Sequence, residues 1–280
     1  MSEIHRNTPD GRWQIYGWRQ TEMEEAARLG ARLAREGAVV GELREFGKQR
    51  VYLKGAPLAT KPSWRHAIRQ HLLRRPAPRL SEYMNLSWMT ERHFQVPLPI
   101  AGGALWRGGR PRYQFLMTCA VPGAVDFADF LGEPEAARGA VLEELAREVA
   151  RLHALHFVHR DLYPRNLLVA PANGGRRVYF LDAWRGGSRF QSRGPAHDLG
   201  CFFLSAAELL TSEEQARFLA DYADERTAQG QPLTGDWLGD AARARAAEWT
   251  RLDRHPARRR GRELPRREWN PRALLAAHSV

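Results

Sequence analysis

His159-Arg160-Asp161-Leu162-Tyr163-Pro164-Arg165-Asn166 is the stretch on which the reading of this chain turns. It matches the phosphoryl-transfer loop pattern H-R-D-L-x-x-x-N at every fixed position, and chance agreement over that many fixed residues is rare. Phosphoryl transfer needs a carboxylate that orients the attacking hydroxyl and accepts its proton, and Asp161 is the candidate. Asn166 offers an amide oxygen to magnesium, a hard cation that prefers oxygen donors. Taken singly, an Asp or Asn in a tight loop caps a turn. Together at this spacing they point to chemistry.

The flanks agree with a catalytic loop. From Ala136 to His156 the apolar residues Leu142, Leu145, Val149, Leu152 and Leu155 recur at helical spacing, so a long amphipathic helix is expected to lead into it. Asn166 to Ala170 and Arg177 to Leu181 read as strands, joined by the turn-rich Pro171-Ala172-Asn173-Gly174-Gly175. Asp182 then stands at a strand end, where a carboxylate serves as the second magnesium ligand. It is followed by Ala183-Trp184 rather than Phe-Gly, and the short stretch to Asp198 holds no A-P-E. A long, phosphorylation-controlled activation segment does not fit there.

The first half supplies the phosphate side. Thr21 and Glu24 resemble a capping box, Met23, Ala26, Ala27, Gly30 and Ala34 follow helical spacing, and Gly37 ends the run, so a helix is expected to open the fold. Ala38-Val39-Val40, Phe46-Gly47-Lys48 and Val51-Tyr52-Leu53-Lys54 read as a β-hairpin. The chain has only three lysines. Lys48 sits in a turn and Lys61 precedes Pro62, which leaves Lys54, closing an apolar strand, as the phosphate-binding lysine. Its acidic partner is expected from the next helix, Ser81 to Arg92, with Glu82 favoured over Glu91 and with Met84, Trp88 and Met89 on a buried face. Tyr113 to Thr118 reads as a further strand. No G-x-G-x-x-G precedes Lys54. Gly37 and Gly41 alone could let backbone approach phosphates, so the nucleotide lid is degenerate or built differently. Strands early and helices after Asp198 indicate an α+β protein with two unequal lobes.

Composition bounds the rest. The 280 residues carry a formal charge of +11, and arginine supplies all but three of the 43 basic residues. Such a surface favours acidic partners, although codon preference gives the same bias. Cys119 and Cys201 lie far apart, with no disulfide or zinc spacing, which fits a reducing cytoplasm. The first thirty residues lack the apolar core of a signal peptide, and no stretch reaches membrane-spanning length.

These motifs, in this order, resemble the lipopolysaccharide core (Kdo and heptose) kinases of Gram-negative bacteria, distant relatives of protein kinases and RIO kinases. The resemblance runs from about Val39 to Arg260 and includes Val51-Tyr52-Leu53-Lys54, the basic stretch through Arg75, Ser81-Glu82-Tyr83, Leu116-Met117-Thr118, the catalytic loop and Leu181-Asp182-Ala183-Trp184-Arg185. In that family the metal-binding Asp is followed three residues later by Arg, as Arg185 is here. The resemblance implies a bilobal protein-kinase-like fold: residues 1–117 as a small β-rich N-lobe, 118–123 as a hinge and 124–280 as a larger helical C-lobe. It implies ATP and Mg2+ as cofactors, with Lys54, Glu82, Met117 and Cys119 on the nucleotide, the backbone of Thr118, Cys119 and Ala120 meeting adenine, and Asp198 bracing the loop. The implied acceptor is an inner-core sugar hydroxyl on the lipid A-core glycolipid at the cytoplasmic face of the inner membrane. The arginines from Arg251 to Arg267 would suit that anionic surface, or form a solvated tail; no specific nucleic acid is expected. Two other readings stand beside this one. Arg160 also suits a RIO-like or Ser/Thr protein kinase, and the missing glycine lid with the arginine excess suits a pseudokinase or basic nucleic-acid-binding module.

Overall fold

The computed structural model describes residues 1–58, 64–65, 67–68, 71–72, 76–188, 194–254 and 268–278, with the side chains of 135–137 left aside. Lys61 and most of the expected basic tail, from residue 255 to 267, lie outside the described residues. The chain divides into two compact units, Met1–Pro122 with Asp182–Arg185, and Gly123–Leu181 with Gly186–Val280.

Two strands, not a helix, open the first unit: β1 (Ser2–Thr8) and β2 (Gly11–Gly17) form a hairpin ahead of α1 (Gln20–Glu36). The period-two cue was present in β2, where Trp13 and Ile15 are buried and their neighbours are not. β1 carries almost no apolar signal because it is a largely exposed edge strand. The expected capping box on α1 is also absent. Arg19 is the N-cap, without a side-chain cap bond, and Thr21 already lies inside the helix. At the other end Gly37 adopts a left-handed φ of 61° and closes α1 as expected.

β3 (Val40–Phe46) and β4 (Gln49–Pro57) form the predicted hairpin. α2 (Pro78–Thr90), β5 (Pro99–Arg107) and β6 (Arg110–Cys119) complete the unit, and the six strands pair antiparallel in the order β1-β2-β5-β6-β4-β3. β5 escaped the sequence reading because it is a central strand of small residues covered on both faces. A Cβ on Gly102 would fall 2.9 Å from Tyr83 of α2, and one on Gly103 would fall 2.3 Å from Phe115. Glycine at these two neighbours lets an aromatic ring lie directly on each face of the strand. Met23, Ala26, Ala27 and Leu33 of α1 bury against Trp13, Ile15, Leu53, Phe115 and Met117. On the opposite face Leu80 of α2 packs with Ala104 and Trp106. Full burial of one such large apolar side chain contributes about 2 kcal/mol. In α2 the buried face is Leu80, Tyr83, Leu86 and Met89, while Met84 and Trp88 are only partly covered.

The second unit begins with β7 (Val125–Asp126) and α3 (Phe127–Phe130), followed by α4 (Glu135–Ala154), the helix expected before the catalytic loop. Leu142, Leu145, Val149 and Leu152 are buried as their spacing predicts, whereas Leu155 is exposed because the helix has ended by then. β8 (Leu167–Ala172) and β9 (Gly175–Phe180) form the expected antiparallel pair, and β7 adds a third strand beside β8. α5 (Pro195–Leu209), α6 (Ser212–Ala228), α7 (Trp237–Asp253) and α8 (Pro271–His278) follow. Phe202 stacks on Phe218 and meets Phe127 and Phe203 edge-on, which ties α3, α5 and α6 into one aromatic core. Among the described residues no helix is long and apolar enough to cross a membrane.

Candidate active site

In the first unit, β4 carries Lys54 onto the face of the sheet covered by α2. Its strand neighbour Leu53 points the other way, into the core beneath α1. Lys54 Nζ lies 3.0 Å from Glu82 Oε1 and 2.6 Å from Asp182 Oδ1. Glu82, in the second turn of α2, is 1% exposed. Glu91, the alternative partner, sits exposed at the C-cap of α2 and pairs with Arg92 instead. Burial works against the charge on Lys54, and the two carboxylates outweigh it and push its pKa up. Burial likewise opposes ionisation of Asp182, but Lys54 and Arg79 hold its pKa down at about 2. Glu82 is pushed above the ordinary carboxylate value by complete burial, against the pull of Lys54 and Arg79.

Arg79 was not singled out by the sequence reading. Its Nη1 lies 2.5 Å from Glu82 Oε2 and 3.5 Å from Asp182 Oδ1, so two cations and two carboxylates share one cluster. The available signal was its position three residues before Glu82 on the same helix. Asp182 has a left-handed φ of 54°, a conformation costly for a non-glycine residue and concentrated at functional sites. Just beyond it, Ala183–Arg185 forms a 3-10 turn that α2 anchors through Asn85 Nδ2, 2.6 Å from the Ala183 carbonyl. Arg185 lies over the Trp184 ring at 4.7 Å.

The two expected nucleotide contacts, Met117 and Cys119, lie at the end of β6. Met117 pairs with Leu53 and is fully buried in the core beneath α1, so its side chain lies on the face away from Lys54. Leu116 is the residue opposite Lys54. The N–H groups of Cys119 and Ala120 already donate to the carbonyls of Leu98 and Arg50. An adenine ring at this segment would therefore have to use other main-chain groups.

In the second unit the catalytic loop hangs from Asp198. This carboxylate is fully buried on α5 and accepts the N–H groups of His159 and Arg160, each at 2.6 Å, while His153 Nε2 lies 3.1 Å away. Burial opposes its ionisation, but these donors hold its pKa below the usual carboxylate value. Arg160 is held at φ 64°, which turns the chain between His159 and Asp161. His159 Nε2 donates to the Leu181 carbonyl at 2.9 Å. Asn166 Nδ2 donates to the Asp161 carbonyl at 2.7 Å, so loop start and loop end are fastened together. The Asp161 side chain keeps 18% exposure, with Arg165 Nη2 at 3.9 Å.

The donor chemistry fits magnesium. With its amide N–H₂ committed to the Asp161 carbonyl, Asn166 keeps its amide oxygen, a donor of the kind a hard cation takes. Asp182 stays ionised at neutral pH. Magnesium takes one or two carboxylate-type oxygens together with phosphates and water, and these residues are of that kind.

Residues 30–222, more than half of the chain, match the model of the "Lipopolysaccharide kinase (Kdo/WaaP) family". The chain belongs to this family. It is a phosphotransferase with an alcohol group as acceptor, as its catalytic-loop sequence anticipates. A solved structure of WaaP in complex with acyl carrier protein is 18% identical with a TM-score of 0.54, covering 84% of this chain and 98% of that one. This likeness establishes a protein-kinase-like α+β fold for the Kdo/WaaP member described here. A glucosamine kinase is 16% identical with a TM-score of 0.49, covering 89% of this chain and 85% of that one. The PknI kinase domain of Mycobacterium tuberculosis is 14% identical with a TM-score of 0.41, covering 76% and 92%. No curated protein sequence matches significantly.

Proposed function

We propose that this family member transfers the γ-phosphate of ATP to a heptose or Kdo hydroxyl of the lipopolysaccharide inner core. Asp161 accepts the proton of the sugar hydroxyl and Lys54, held by Glu82, binds the nucleotide phosphates. Asn166 and Asp182 are the magnesium ligands, and magnesium, when bound, neutralises charge developing on the phosphates. Residues 118–123 serve as the adenine-binding hinge between residues 1–117 and 124–280. The glycolipid acceptor is anionic and membrane-held, so the arginine-rich surface suits peripheral attachment to the inner face of the inner membrane.

The observation that carries this reading is the Lys54 ammonium seated between Glu82 and Asp182, residues 28 and 128 positions away in sequence. A degenerate kinase commonly loses at least one member of such a set, and here Lys54, Asp161, Asn166 and Asp182 are all present. Purified protein given ATP, Mg2+ and core oligosaccharide lacking phosphate should add one phosphate by mass spectrometry. Asp161→Asn and Lys54→Met should abolish the gain while leaving the protein folded. No mass gain on any heptose or Kdo acceptor would overturn the proposal, and efficient phosphorylation of a protein instead would favour the RIO-like alternative.

A further inference from the structure

We infer that Arg79 is a second ligand for the nucleotide phosphates, acting beside Lys54. The inference rests on the ATP-dependent reading above and supplies phosphate contacts where no G-x-G-x-x-G precedes Lys54.

Charge accounting within the first unit supports it. Lys54 and Arg79 together face Glu82 and Asp182, so the cluster is neutral as it stands. Were Asp182 to hold a divalent cation, the two side-chain cations would be left with Glu82 alone. One positive charge is then uncompensated, and it faces whatever anion accompanies the metal. A single lysine paired to Glu82 would leave none.

Geometry supports it as well. Among the described residues the ion pairs of Arg79 run through Nη1. A guanidinium carries five donors in a planar fork, so Nε and Nη2 remain to meet phosphate oxygens in the bidentate manner arginine favours. The side chain is 26% exposed, against 1% for Glu82, so the fork reaches solvent while its anchor does not. The backbone is fixed too, because Arg79 N–H donates to the buried Gln114 Oε1 at 3.0 Å.

The helix dipole does not account for the arginine. Arg79 occupies the first turn of α2, next to Pro78, and that turn holds no acidic residue. A cation is opposed there by the helix dipole, and within α2 only the pairing with the buried Glu82 offsets that cost.

Binding of ATP and of adenosine, measured by calorimetry in the presence of Mg2+, separates phosphate contact from general damage. Arg79→Gln should weaken ATP binding about tenfold or more and leave adenosine binding unchanged, and Arg79→Lys, which keeps charge without the fork, should lie between. Unchanged ATP affinity in both variants, or equal loss for ATP and adenosine, would overturn the role of Arg79. If Arg79→Gln fails to fold, Arg79→Lys decides, since it preserves a cation on Glu82; wild-type ATP affinity in that variant overturns the inference. Failure of the wild-type protein to bind ATP at all would instead remove the ATP-dependent reading, with Arg79 falling as its consequence.

Discussion

Asp198 Oδ1 accepts the main-chain N–H of Arg160 at 2.6 Å, and this bond holds a non-glycine residue at a φ of 64° directly before Asp161. The other oxygen, Oδ2, takes the His159 N–H at 2.6 Å. Left-handed backbone costs a non-glycine residue about 1–2 kcal/mol, so the loop keeps its shape only while both oxygens accept. Asp198→Asn places an amide N–H₂ against one of these two donors. We expect a stability loss of about 3 kcal/mol in urea unfolding and a matching loss of phosphotransfer. An Asp198→Asn protein with wild-type stability would show that the loop holds its shape by other means.

Acid should loosen the Lys54 cluster in a definable window. The folded-state pKa of Asp182 is depressed from 3.8 to about 2. Its contribution to stability is therefore fully present above its ordinary value and lost as pH falls through the depressed one. Asp198 is also depressed and contributes with the same sign. Urea midpoints measured from pH 5 to about pH 2 should fall steeply in the wild-type protein and less steeply in Asp182→Asn. Identical slopes would mean that Asp182 is not ionised in this cluster.

How much of this was legible in the sequence depended on whether a signal was local. The catalytic loop is one contiguous motif, and Lys54 stood out because lysine is scarce and an apolar strand precedes it. Glu82 followed from its place early in the next helix. Arg79 is different, because its meaning lies in a pairing with Asp182 across 103 residues of sequence. The left-handed backbone of Arg160 and Asp182 leaves no trace in residue type, since neither is glycine. Strand β5 was missed for a packing reason: tertiary cover on both faces selects small residues such as Gly102 and Gly103, which erases the alternation that marks a half-buried strand. Met117 was assigned to the nucleotide by resemblance, and only the register with Leu53 shows which face its side chain occupies.

Tyr163, two residues after Asp161, gives the catalytic loop a second anchor. Its hydroxyl donates to Glu248 of α7, a buried carboxylate that also binds Arg251 Nε at 2.7 Å. Burial, with Cys201 and Glu248 nearby, pushes the phenol pKa upward, so it stays a protonated donor. Tyr163→Phe leaves Glu248 still paired with Arg251 and should cost about 1 kcal/mol. Glu248→Ala opens a cavity and leaves the tyrosine proton without its acceptor, so about 3 kcal/mol is expected. The reverse order in thermal or urea unfolding would contradict this arrangement. Both variants should lower kcat more than they raise KM for ATP, since the anchor positions the loop bearing Asp161 and does not touch the nucleotide.

The largest single-site stability loss away from the proposed chemistry is expected at Arg138. Its guanidinium meets Glu214 in a fork, Nε to Oε1 at 2.8 Å and Nη2 to Oε2 at 2.9 Å, and Nη1 donates to the Leu131 carbonyl at 2.7 Å. Both side chains are nearly fully buried. Glu214 is also the third residue of a reciprocal capping box, accepting the Thr211 N–H while its own N–H reaches the Thr211 hydroxyl. One carboxylate thus closes the start of α6 and ties it to α4. Arg138→Met removes the cation and strands a buried carboxylate, which costs about 3–5 kcal/mol. Glu214→Gln keeps the cap acceptor but loses the charge, leaving Arg138 buried without its anion, and should cost a similar amount. Changing both to apolar residues of similar volume removes both buried charges, so the double variant should recover much of the loss and the cycle should show strong coupling. Additive losses would mean that the two side chains act independently, and the fork would then be no more than a geometric coincidence of two buried ions.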